Sequence, residues 1–138
     1  MAKTILRKTP QKVAIKVYGA SGSETITLAT DCLHSTEIVS GTPLVNILAL
    51  HWTGAAAGVA TITRNSVVIA TLLGATGGEL LFNDAEFVDN INNSNDLVVT
   101  ITGGQMEVWM SLRKQSGYSS KIETAEFSVY DNVNAVGS

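Results

Sequence analysis

Thirty-nine of the 138 residues are Thr, Val or Ile. Two heavy atoms on Cβ stiffen χ1 and suit these side chains to a pleated strand better than to a helix. Lys12 to Tyr18 shows how they are arranged: Val13, Ile15 and Val17 alternate with Lys12, Ala14 and Lys16, the period of two that puts one side of a strand on a core and the other in solvent. Glycine and asparagine clusters cut the rest of the chain into similar short segments. The expectation is an all-β protein, a β-sandwich or small Greek-key or jelly-roll-like barrel.

Several pairings follow from the turn chemistry. Residues 12–18 and 24–29 flank Gly-Ala-Ser-Gly-Ser at 19–23 and read as a hairpin. Leu44 to Trp52 is nearly all apolar, the pattern of a central strand buried on both faces. Val59–Arg64 and Val67–Leu72 flank Asn65-Ser66, a two-residue turn that would set Ile62 against Ile69. Leu97 to Leu112, around Gly103-Gly104, reads as a further hairpin pairing Leu97 with Met110, Val99 with Val108 and Ile101 with Met106 on one face. Asp31 to Gly41 reads as loop, and Glu79 to Val88 as a short strand running into an acidic edge.

Charged residues make up only 15% of the chain, and mean hydropathy is +0.22. Few charges on a soluble domain suggest that part of its surface is covered by partners. The net charge of −3 is also unevenly spread. Lys3, Arg7, Lys8, Lys12 and Lys16 precede the first acid, Glu24, whereas Glu123, Glu126 and Asp131 follow the last base, Lys121. Separated blocks of opposite charge mark interaction arms. The expected organisation is a basic N-terminal arm over 1–11, a sandwich over 12–114 and an extended C-terminal arm over 115–138. Lys3, Arg7, Lys8, Arg113, Lys114, Tyr118, Ile122, Phe127 and Tyr130 are the candidate interaction residues.

Tests for chemistry assign no catalytic, cofactor or metal role. His34, His51 and the single cysteine, Cys32, lack metal-ligand spacing, and one cysteine excludes an internal disulfide. Gly74, Gly77 and Gly78 are followed by no Lys-Ser or Lys-Thr. Ser21 sits outside a nucleophile-elbow pattern. Asp84, Glu86, Asp89 and Asp96 lack calcium-loop spacing and read as a solvated edge. Trp52 and Trp109 are candidates for a saccharide platform, with packing as the plainer role. The basic N-terminus invites phosphate contact, but the acidic overall balance argues against a dedicated nucleic-acid binder. No apolar run approaches a membrane span, and no signal peptide is legible at the start.

Three segments carry a resemblance: A-K-T-I-L-R-K-T-P-Q-K-V-A-I-K-V at 2–17, L-H-W-T-G with T-I-T-R-N at 50–65, and V-W-M-S-L-R-K-Q-S-G-Y-S-S-K-I-E-T-A-E-F at 108–127. They resemble small virion structural proteins of tailed phages, especially those infecting marine cyanobacteria. The resemblance implies a non-enzymatic protein made in the host cytoplasm and resident in the virion. Its expected partners are other virion proteins, the major capsid protein first, and copies of itself. Capsid decoration is the leading expectation; a neck or tail component, or a carbohydrate-binding fibre module, is the alternative.

Overall fold

The computed structural model describes residues 1–82 and 93–121. Its elements in chain order are β1 (Ala2–Lys8), β2 (Lys12–Gly19), β3 (Gly22–Ile26), α1 (Leu28–Asp31), β4 (Glu37–Gly54), β5 (Val59–Arg64), β6 (Val67–Leu73), β7 (Gly78–Leu81), β8 (Leu97–Thr102) and β9 (Met106–Ser120). One sheet has the order β1-β2-β9-β4-β7 and the other β3-β8-β5-β6. Apart from β1, added at an edge, this is the order of a jelly roll: four strands face four, and the chain crosses between sheets at nearly every connection. The all-β sandwich expected from the sequence is the observed architecture.

The core forms where the period-2 stripes of the two sheets meet. Val13, Ile15 and Val17 from β2, Val45, Ile47 and Leu50 from β4, and Met106, Val108, Met110 and Leu112 from β9 supply one layer; Ile26, Ala60, Ile62, Leu72, Leu97, Val99 and Ile101 supply the other, and all are buried.

Two expected hairpins are instead arches between sheets. β2 pairs with β1 and β9 whereas β3 pairs with β8. Likewise β8 pairs with β3 and β5 while β9 pairs with β2 and β4. The expected parity survives: Leu97, Val99, Ile101, Met106, Val108 and Met110 are all buried. They meet across the core because alternation selects a face and leaves the hydrogen-bonded neighbour open. At the β8–β9 arch Gly103 has φ +79°, and a Cβ there would lie 2.2 Å from the Ala57 carbonyl oxygen, so only glycine fits.

The β5–β6 hairpin forms as expected, with Asn65 and Ser66 at φ 52° and 64°, the signs of a type I′ turn. Ile62 faces Ala70 rather than Ile69, because Ile69 is the extra residue of a bulge. β4 lies between β9 and β7; its apolar stripe buries one face, and on the other only Asn46 is buried. Between Ile47 and Ala49 its register against β9 shifts, so Leu48 drops out of phase and Leu50 returns to the core; this produces the continuous apolar run. The stretch read as loop, 31–41, contains the end of α1 and the start of β4. Residues 2–8, expected in a free arm, are a strand paired along β2, and 115–120 continue β9. The C-terminal arm from 122 onward, and the expected acidic edge at Asp84, Glu86 and Asp89, lie outside the described residues.

Two buried cations fix the loops. Arg64, 1% exposed, donates from Nε to the Asn95 carbonyl (2.9 Å) and from Nη2 to those of Val45 and Asn93 (both 2.8 Å), tying the approach to β8 onto β4. Lys114 ends the inward stripe of β9. Its ammonium meets the buried carboxylate of Glu37, donates to the Thr9 carbonyl at 3.2 Å and lies 4.3 Å from the Tyr118 ring centroid. Tyr118 donates in turn to the Leu28 carbonyl at 2.6 Å, so one cluster joins the β1–β2 turn, α1, β4 and β9.

Lys114→Met, which strands the Glu37 carboxylate, is expected to cost about 3–5 kcal/mol, and the double variant Lys114→Met/Glu37→Leu to recover most of it. Urea midpoints of the two variants against the parent check this.

Candidate functional site

The strongest candidate site is a basic cleft at the β1–β2 hairpin, and a one-residue irregularity creates it. Ile5 pairs with Ile15, but Arg7, not Leu6, pairs with Ala14. Leu6 is therefore a bulge. Without it Arg7 would follow the alternation to the inner side; with it Arg7 shares the outer face with Ala14. The turn beyond is tightly made. The Thr9 amide donates to the Lys12 carbonyl at 2.9 Å, and Thr9 Oγ1 accepts from the Gln11 and Lys12 amides at 3.2 and 3.0 Å. Pro10 supplies the fixed φ that such a turn uses after its first residue. From beneath, Lys114 holds both Thr9 and, through its amide, the Gln11 carbonyl (2.8 Å).

The resulting cleft, about 520 Å³, is lined by Arg7, Thr9, Gln11, Lys12, Val13, Ala14 and Ser111. Small side chains, Ala14 and Ser111, form its floor and face each other across β2 and β9; Arg113 stands across from Lys12. Arg7 and Lys12 are exposed, and neither has a carboxylate partner among the described residues. Other lysines nearby are already engaged: Lys3 with Asp31 at 2.7 Å and Lys16 with Glu107 at 3.1 Å. Two uncommitted cations above a small-residue floor, with Gln11 and Ser111 as neutral donors, suit an extended chain bearing carboxylates.

The candidate interaction residues divide accordingly. Arg7 lines the cleft and Arg113 borders it. Lys3 faces inward and also donates to the Thr25 carbonyl at 2.7 Å. Lys8 pairs with Val13 on the inner row. Lys114 and Tyr118 are turned inward, onto Glu37 and the Leu28 carbonyl of the chain itself. Ile122, Phe127 and Tyr130 lie outside the described residues. Lys12 was legible only as part of a charge block; Thr9, Gln11 and Ser111 gave no signal, because a cleft is made by strands brought together from distant sequence.

A second surface is the outer face of the four-stranded sheet. Across its strands run the rows Ser23-Thr100-Thr61-Thr71, Thr25-Val98-Thr63-Val68 and Thr102-Val59-Leu73. These eleven positions include no charged side chain, whereas a solvated outer face ordinarily carries Lys and Glu.

The tryptophans do not form one platform. Trp109 pairs with His51 and Trp52 with Val108, so the two indoles take opposite faces of the sheet. Trp52 packs against the core and donates to the Leu73 carbonyl at 3.2 Å. Lys16 lies 5.6 Å from the Trp109 ring centroid and 4.7 Å from that of Tyr18. His51 Nδ1 approaches Glu79 at 3.2 Å, and His34 Nδ1 lies 2.8 Å from Thr36 Oγ1. No group of three His, Cys, Asp or Glu side chains suited to a metal converges among the described residues.

Burial pushes the Cys32 thiol up from 9.0 to about 11, against the opposing pull of Lys114; burial likewise raises the Tyr118 phenol, with Cys32 adding to the effect. An acid whose folded value is raised stays protonated in the fold after the unfolded chain has lost its proton. The stability it contributes is complete below pH 9.0 and is lost as pH rises toward about 11. The Cys32 share of the fall is about 2 kcal/mol between pH 8 and 11, read from urea midpoints, and Cys32→Ala should remove that share while leaving the part that Tyr118 contributes above pH 10. Comparisons of the chain with protein-family models, with curated proteins and with solved structures yield no match.

Proposed function

We propose that this chain is a structural subunit of a tailed-phage particle, acting as a decoration protein that bridges neighbouring subunits of the capsid surface. The observation that carries the reading is the uncharged outer face of the four-stranded sheet, eleven positions of Thr, Ser, Val and Leu. Such a face loses little on leaving water, because its hydroxyls can exchange water for polar groups of a partner and its methyls gain by burial. Only 15% of the whole chain is charged, which fits a molecule that works among neighbours.

The resemblance of residues 2–17, 50–65 and 108–127 to virion structural proteins of tailed phages supplies the biological setting. The jelly roll is compatible with it, since double-sheet rolls occur among viral capsid domains, but they occur among lectins too, and a fold alone assigns no activity. Two separate surfaces, the uncharged face and the basic cleft, give one small domain two points of attachment. Repeated by symmetry, modest contacts of that kind hold through avidity without one strong site.

Quantitative mass spectrometry of purified particles is expected to find the chain at a high copy number that scales with the capsid protein; its absence would end the proposal, and a low copy number would move it to the neck or tail. Thr61→Lys combined with Thr100→Glu places an opposite-charge pair on the uncharged face. The pair should change stability by no more than about 0.5 kcal/mol while sharply reducing incorporation into particles.

A further inference from the structure

We infer that the basic cleft at the β1–β2 hairpin receives the acidic segment 122–138 of a second copy of this chain. The inference stands on the cleft and the charge distribution, and does not require membership of a particle.

Charge complementarity is the first argument. Residues 122–138 contain Glu123, Glu126 and Asp131 and no Lys or Arg. Residues 1–23 contain five bases and no acid. Among those five, Lys3 and Lys16 are paired inside the domain and Lys8 lies on the inner row, which leaves Arg7 and Lys12, the two that line the cleft. Two cations brought together at one hairpin repel each other, and an anionic segment relieves that repulsion.

Shape is the second. The cleft floor at Ala14 and Ser111 lets an extended backbone approach the sheet closely, and the flanking Gln11 and Ser111 side chains offer donors to its carbonyls. Lys114 and the Thr9 turn brace the rim from below, so the backbone that carries the cations is held before anything binds.

Reach is the third, and it selects a second copy over the same molecule. β9 carries the chain away from the cleft, from Arg113 beside Lys12 to Lys121, at most about 26 Å at 3.3 Å per residue and less for the bend at Gly117, whose φ is +90°. Past Lys121, Glu123 and Glu126 extend only about 7 and 17 Å. Within one molecule, Glu123 falls short of the cleft and Asp131 arrives with slack. From a neighbour, all three acids can be presented together.

The test uses the full-length protein, mixed in equal amounts with its nitrogen-15-labelled form and treated with a zero-length carbodiimide cross-linker. Peptides joining Lys12 to Glu123, Glu126 or Asp131 are expected, with both isotopes in one cross-link. Their yield should fall about tenfold between low and 0.5 M salt and equally in Arg7→Glu, and should return when Arg7→Glu is combined with Glu126→Lys. Arg7 is solvent-facing, so Arg7→Glu should keep the parent melting temperature, and the rescue does not depend on that. Absence of these cross-links, cross-links carrying one isotope only, or a yield unchanged in Arg7→Glu would overturn the inference.

Discussion

A single ammonium group closes one end of this sandwich. The inward stripe of β9 runs Met106, Val108, Met110, Leu112 and then Lys114, and the last member is buried with the others. A charge in that position survives only because Glu37, the Thr9 carbonyl and the Tyr118 ring surround it. Exchanging the pair for apolar side chains would leave burial intact, so its particular contribution is geometric. Nothing apolar could grip the Thr9 carbonyl, and that grip adds to the backbone tie from the Lys114 amide to the Gln11 carbonyl in holding the β1–β2 turn to the sheet. The shape of the cleft is thus set from inside the core.

Phase shifts do the rest of the positioning. Leu6 in β1, Leu48 in β4 and Ile69 in β6 are each an extra residue against the partner strand. Each one changes which side chains beyond it face inward. At Leu6 the change delivers Arg7 to the surface beside Ala14; at Leu48 it returns Leu50 and Trp52 to the core side; at Ile69 it substitutes Ala70 as the neighbour of Ile62. A bulge is cheap in an outer strand, where the unpaired backbone stays hydrated, and β1 and β6 are both edge strands.

These shifts also explain what could be read in the sequence. The all-β class, the stripes at Val13 to Val17 and Leu97 to Met110, and the Asn65-Ser66 turn were legible because each rests on local periodicity or on residues that tolerate positive φ. The sheet partners of β2, β3, β8 and β9 were not, since Leu97 opposite Met110 in a hairpin and Leu97 facing β9 across a core give the same alternation. The N-terminal basic block read as an arm because its charges mask the inward Ile5. Lys114 read as surface because nothing local distinguishes a buried lysine from the exposed Lys12. Of the cleft, only its cations were visible; its floor joins Ala14 to Ser111, nearly a hundred positions away.

β9 is the middle strand of the five-stranded sheet, flanked by β2 and β4, yet it is made after both. During synthesis β2 and β4 must therefore wait, each with one side unpaired, until residues 106–120 leave the ribosome. Among the described strands, only β1–β2 and β5–β6 can close from neighbouring sequence. A topology so rich in long-range pairing folds slowly. β9, the last of the described strands to appear, acts as the keystone, and the half-made chain is the form most exposed to aggregation.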